Sequence, residues 1–108
     1  MRFLMMLLAV LTLAACNDPG NTASRSPDQI YRGYCSQCHA GGSNGAPRVG
    51  PAHRMAWSDE MEEDGFEGLV SAAIHGQNAM PARGTCFDCS DAELRATVIY
   101  MLKESGAK

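Results

Sequence analysis

Basic residues are in the minority: nine lysines and arginines stand against twelve aspartates and glutamates, a formal net charge of −3 over 108 residues. That balance excludes a non-specific nucleic-acid binder, which needs a basic face to displace counterions from phosphates. It also offers nothing to the headgroups of anionic lipids. No internal repeat is present and no alternation of apolar and polar residues signals a strand, so repeat arrays and sheet-based folds are excluded. The length leaves room for one domain. No apolar run reaches the roughly 20 residues that span a bilayer. The longest, Phe3 to Ala15, is interrupted by Thr12 and preceded by the single charge of Arg2, which is the shape of a secretory signal.

The signal-like run ends in Leu13-Ala14-Ala15-Cys16. Small residues followed at once by a cysteine resemble the lipobox of bacterial lipoproteins, in which that thiol receives the lipid. The other reading is an ordinary signal peptide cut nearby, with Cys16 incidental. Cleavage before Cys16 removes only Arg2 among the charged groups, so the mature chain carries one more net negative charge than the whole. Residues 17 to 26 hold one apolar side chain, Ala23, among turn formers and read as a linker. The expected organisation is a lipoprotein signal peptide at 1–15, a lipidated N-terminus and flexible linker at 16–27, and a folded domain at 28–108. A domain of about 80 residues is small for a self-sufficient core, so a staple or a cofactor is expected.

Helices account for the rest. Ser26-Pro27-Asp28 combines a capping hydroxyl, a proline at the first position and an acid in the first turn, which predicts a helix running to about Cys38. The stretch from Ala40 to Pro51, rich in glycine and proline, is loop. Ser58 to Asp64 has the composition of a short acidic helix. Phe66 to His75 places Phe66, Leu69, Val70, Ala73 and Ile74 at helical spacing, with Gly76 as a stop. After a loop from Gln77 to Cys89, the capping box Ser90-Asp91-Ala92-Glu93 opens a last helix carrying Leu94, Val98, Ile99, Met101 and Leu102. Helices joined by long glycine-rich loops make a poor core by themselves, and a good one when the loops wrap a cofactor.

The chemistry sits in Cys35-Ser36-Gln37-Cys38-His39, the C-x-x-C-H signal for covalent attachment of haem. Two thiols three residues apart on a helical turn can each add to a porphyrin vinyl group, and the next residue, His39, then lies beneath the iron. Two other readings compete. Cys35 and Cys38 could form a disulfide beside an incidental histidine. Alternatively Cys35, Cys38, Cys86 and Cys89 could form a four-cysteine zinc site, although the gap between the pairs is long for one and His39 is left without a role.

An iron that only passes electrons needs a second axial group. Met1, Met5 and Met6 leave with the signal, and Met101 falls on the packing face of the last helix. Met55, Met61, Met80, His53 and His75 remain. Met80 is preferred, because Pro81 biases it toward an extended backbone in a loop between two helices. Met55, in a loop nearer the attachment motif, is its main rival. A histidine at a helix C-terminus, as His75 is, is favoured by the helix dipole without any metal.

Tyr31, the C-x-x-C-H motif, Gly45-Ala46-Pro47, Trp57, Met80-Pro81, Cys86-x-x-Cys89, Ser90-Asp91-x-Glu93-Leu94 and Tyr100-Met101-Leu102 together resemble the class I cytochromes c, and specifically the bacterial cytochrome c5 type, over about residues 28 to 104. The resemblance implies an all-α class I fold of three to five helices around one covalently bound haem c and its iron. It implies a first and last helix that cross at Tyr31 and Tyr100. It implies a Cys86–Cys89 disulfide, a Pro47 carbonyl that accepts from the proximal histidine, and a Trp57 close to a propionate, although Trp57 reads equally well as core packing. The stretch from Gly50 to Met55 and the acidic run Asp59 to Asp64 depart from the family's pattern, as does the lipobox.

The function expected on these grounds is one-electron transfer by a carrier that is not an enzyme, with His39 and Met80 on the iron and no small-molecule substrate. Its partners are expected to be redox proteins, a membrane-bound donor and acceptor such as an oxidase or reductase, and it is expected to hang from a membrane in the bacterial periplasm. One rival is a haem-based gas sensor or ligand-binding lipoprotein in which Met80 is displaceable. A second is a fixed subunit of a respiratory complex.

Overall fold

The computed structural model describes residues 24–107, so the signal segment, Cys16 and most of the linker lie outside the described residues. The chain enters through Arg25, whose backbone N–H donates to the Glu93 carboxylate at 2.9 Å and whose guanidinium reaches Asp88 at 3.2 Å. Arg25, within the expected linker at 16–27, is thus tied to Glu93 and Asp88. Helix α1 (Pro27–Ile30) starts on the Ser26 capping box: Ser26 Oγ accepts from the Gln29 N–H at 3.2 Å, and the Gln29 side chain accepts from the Ser26 N–H at 3.0 Å. The helical path continues to His39, but not as regular α-helix. Tyr31–Cys35 is a π-helical stretch, and α2 (Ser36–His39) resumes the α form. A π-helical turn inserts extra backbone and so resets the direction of every side chain after it, here those of the attachment motif.

Helix α3 (Arg54–His75) joins the two helices expected at Ser58–Asp64 and Phe66–His75 and extends them by a turn. The two halves meet at Gly65, which is left-handed in φ (φ 70°, ψ 169°) and breaks the helix where the acidic half passes into the apolar half. Helix α4 (Asp91–Glu104) opens on the Ser90 capping box, with Ser90 Oγ accepting from the Glu93 N–H at 3.0 Å and the Glu93 carboxylate accepting from the Ser90 N–H at 2.9 Å. Among the described residues the only β-type pairing is one isolated antiparallel bridge between Gln77 and Met80.

Two apolar clusters hold these pieces together. Trp57, Leu69, Val70 and Ala73 from α3 pack with Val98, Met101 and Leu102 from α4, and Ala107 joins them. Ile30 from α1 packs with Leu94 from α4 and with Cys86 and Cys89. The crossing of α1 and α4 is closed by Tyr31 and Tyr100, with ring centroids 5.7 Å apart, and by the Tyr100 hydroxyl, which donates to Asp28 at 3.0 Å. Ile99, one of the apolar residues carried by the last helix, is 37% exposed. Leu94, Val98, Met101 and Leu102 recur at spacings of three and four and define the inner face, and Ile99 falls off it. Thr97 takes a buried place there because its hydroxyl donates back to the Glu93 carbonyl at 2.8 Å.

Candidate functional site

The attachment motif, the loop after it and the loop carrying Met80 converge on one cavity of about 460 Å³, within the usual range for small-ligand pockets. Cys35, Cys38, His39, Pro47, Trp57 and Met80 all line it, with Leu69, Val98 and Met101 supplying apolar wall.

His39 is 7% exposed. Its Nδ1 lies 2.7 Å from the Pro47 carbonyl oxygen. A carbonyl only accepts, so Nδ1 carries the ring proton and Nε2 keeps its lone pair. Burial pushes the His39 pKa below its ordinary value, against a smaller opposing pull from the Pro47 carbonyl, so the ring is held as neutral imidazole, the form that binds metal. Three consecutive residues build this seat from backbone atoms. The Pro47 carbonyl takes the histidine ring, the Arg48 carbonyl accepts the Trp57 indole N–H at 2.7 Å, and the Val49 N–H donates to the His39 carbonyl at 2.9 Å. The Trp57 ring lies 5.6 Å from the His39 ring, centroid to centroid. Its N–H is thus engaged with Arg48. The Ser105 hydroxyl, fully buried, accepts from the Gly50 N–H at 3.1 Å and fixes the end of the same segment to the C-terminus of α4.

Cys35 and Cys38 are half-buried and not bonded to each other. Burial pushes the Cys35 thiol up to about 11, so it stays protonated near neutrality. Cys86 and Cys89 are joined to each other as a disulfide, with Cα atoms 5.4 Å apart. A four-cysteine zinc site is therefore not available, since two of its four sulfurs are bonded together. Met80 is held by a tight turn in which Gln77 and Met80 exchange backbone hydrogen bonds of 3.0 and 2.9 Å. Gly76, at φ 81°, precedes the turn, and a Cβ there would meet the Met80 carbonyl oxygen at 2.9 Å, so the close approach requires glycine. Of the other candidate axial ligands, Met55 is 71% exposed, and Met55, Met61, His53 and His75 do not line the cavity. Met101 does, as a buried member of the core.

On the remaining lip stand Glu60, Glu63 and Asp64. The Glu60 carboxyl is pushed up, first by burial and then by its acidic neighbours Glu63, Asp64 and Asp59. The acidic run is plain in the sequence, but that Glu60, Glu63 and Asp64 of it border the cavity is not. The roles of Arg48, Val49 and Ser105 carried no signal, because two act through backbone atoms and the third through one buried hydroxyl.

The donor set fits haem c. It comprises two thiols on one helical turn, a neutral imidazole with a free Nε2, a thioether on the same cavity and apolar walls. A helical enclosure with this set at its centre defines a class I c-type cytochrome. The comparisons narrow the class. The family model described as cytochrome c oxidase, cbb3-type, subunit III matches residues 22–101. The cytochrome c5 of Ectopseudomonas mendocina is 43% identical over 79 residues, covering 72% of this chain and 88% of that one. The cytochrome c5 of Azotobacter vinelandii is 42% identical over 76 residues, covering 69% and 89%. A cytochrome c solved in an electron-transfer complex with nitrite reductase superposes with a TM-score of 0.65 at 34% identity, over 73% of this chain and 93% of that one. The chain belongs to the cytochrome c5 family of class I cytochromes c, and it is a monohaem electron carrier with covalently bound haem c and its iron.

Proposed function

We propose that the iron is held between His39 Nε2 and the Met80 thioether, that Cys35 and Cys38 form the two thioether bonds to the porphyrin, and that the protein passes single electrons in a respiratory or related chain. The observation that carries this reading is the sharing of one cavity by Cys35, Cys38, His39 and Met80, with His39 Nδ1 committed to Pro47. The haem supplies the one-electron iron couple, and everything else is done by the chain. Pro47 fixes the imidazole plane and its basicity. The apolar wall keeps water from the ring, and a thioether opposite the imidazole favours ferrous iron and so a positive potential.

Held by both His39 and Met80, the iron would have no open site for a substrate, which favours a carrier over an enzyme and over a gas sensor. Carbon monoxide separates the readings. Added to the reduced protein at neutral pH, it is expected to leave the visible spectrum unchanged over minutes. A rapid, saturable shift would instead assign a sensor whose Met80 gives way. Partners are expected to be redox proteins. The acidic lip of Glu60, Glu63 and Asp64 suits a partner with a basic docking face, which would speed encounter more than it tightens binding.

The same reading places the protein outside the cytoplasm, tethered through a lipidated Cys16. No helix among the described residues is long and apolar enough to cross a membrane. With Arg25 bound to Glu93 of α4, a lipid on Cys16 would lie at most eight residues of chain, about 28 Å, from that anchor. Replacing Cys16 with serine is expected to move the protein from the membrane fraction to the soluble periplasmic fraction. Wild-type protein found wholly soluble, with an N-terminus other than modified Cys16, would refute the tether.

A further inference from the structure

We propose that Arg83 is a positioning residue for Met80, its guanidinium fastening the Met80 loop to the start of α4 and so keeping the thioether in the cavity. The inference rests on the reading of Met80 as an axial ligand.

The segment after Met80 is held in a conformation it would not choose. Arg83, Gly84 and Thr85 have φ of 59°, 54° and 69°, three successive residues in the left-handed region. For Arg83 and Thr85 that region is unfavourable, and for β-branched Thr85 most of all. Such a run persists only where its surroundings impose it. The two apolar clusters do not: Ala79, Pro81 and Thr85 line the cavity rather than belong to either cluster, and Ala82 is exposed. Backbone bonds from the Gly84 N–H to the Pro81 carbonyl at 3.1 Å and from the Cys86 N–H to the Arg83 carbonyl at 2.9 Å are local to the turn, and tie it to nothing else.

The Arg83 side chain supplies the external tie. One guanidinium nitrogen donates to the Asp91 carboxylate in the first turn of α4 at 2.9 Å, and the other donates to the Cys89 carbonyl. The Arg83 side chain is 24% exposed and its Asp91 partner 70% exposed, and Arg83 itself lines the cavity. Gly84 lies on the attachment motif, since a Cβ built there comes within 3.9 Å of Cys35 Sγ. The fork of a guanidinium can satisfy both acceptors at once, whereas an ammonium is a single point charge on a flexible stem. The Cys86–Cys89 disulfide anchors the far end of the segment, and Arg83 is the side chain that brings the anchor to within three residues of Met80.

The test uses haem-loaded protein and imidazole as a competing ligand. Ferric wild type, Arg83→Ala, Arg83→Lys, Met80→Ala and Tyr100→Phe are titrated while the weak thioether-to-iron band at the red end of the spectrum is followed. Hydrogen exchange of the Gly84 and Cys86 amides is measured in parallel. Arg83→Ala is expected to bind imidazole about tenfold more tightly, roughly 1.4 kcal/mol, and to exchange those two amides about tenfold faster, with Arg83→Lys in between. Tyr100→Phe loses a contact at the α1–α4 crossing instead. It is expected to melt earlier with imidazole affinity unchanged, so general destabilisation and loop release are told apart. Wild-type affinity and exchange in Arg83→Ala, with the band lost in Met80→Ala, would overturn the role of Arg83 alone. A band that survives Met80→Ala would overturn the ligand reading and the Arg83 role with it.

Discussion

Replacing both Cys35 and Cys38 with alanine is expected to yield protein from which acid acetone extracts the haem completely, and whose far-UV circular dichroism shows most of the helix lost. The first outcome follows from the chemistry of attachment, because no other cysteine among the described residues lines the cavity. The second follows from where the core lies. The walls of the 460 Å³ cavity include Leu69, Ala73, Leu94, Val98 and Met101, which are also members of the two packed clusters. Loss of the ring would open these shared walls to water and remove contacts from both clusters at once, so the packing left between α3 and α4 is expected to be too little to hold the helices in place. Either single cysteine variant is expected to keep one thioether bond and a measurable melting transition. Covalent haem retained in the double variant would overturn the attachment assignment.

The sequence was most legible where one residue type does one job at a fixed spacing. The attachment motif is five residues of strict chemistry. The capping box at Ser90 is read directly, because a hydroxyl three residues ahead of a glutamate has one obvious use, whereas at Ser26 only the capping hydroxyl was read and the Gln29 half of the box comes from the structure. Gly65 marked the break between the acidic and apolar halves of α3, although the continuity of Arg54–His75 across it was not expected. What stayed hidden falls into two kinds. The π-helical stretch at Tyr31–Cys35 shifts the register of only the four residues of α2 that follow it, too short a run for periodicity to reveal. The seat of His39 is made by the backbone of Pro47, Arg48 and Val49, and a carbonyl or an N–H has no letter in the sequence. The indole of Trp57 illustrates the cost of reading a side chain without its neighbours. A tryptophan N–H is a free donor on paper, and here the Arg48 carbonyl takes it.

Replacing Met80 with alanine is expected to abolish the weak red-end band of the ferric protein and to lower the reduction potential by on the order of 0.2 V, about a quarter of the range that axial-ligand identity spans. The direction follows from ligand softness. A thioether stabilises ferrous iron, and water or a nitrogen donor in its place stabilises ferric iron. The size of the effect depends on what can replace it. His53 and His75 do not line the cavity, and Met55 is exposed, so none is placed to substitute without rearrangement of its segment. Met101 is the one other thioether on the cavity wall, but it is 5% exposed and packed between α3 and α4. Bringing it to the iron would open the core it fills, at a cost of about 2–5 kcal/mol by analogy with methionine truncation. Water is therefore the expected sixth ligand of the variant, and carbon monoxide should now bind its reduced form. Spectroelectrochemical titration of wild type and variant, with and without carbon monoxide, measures all three changes together. A variant that kept the band and the potential would assign the sixth position to Met101 and leave Met80 as a rim residue of the cavity.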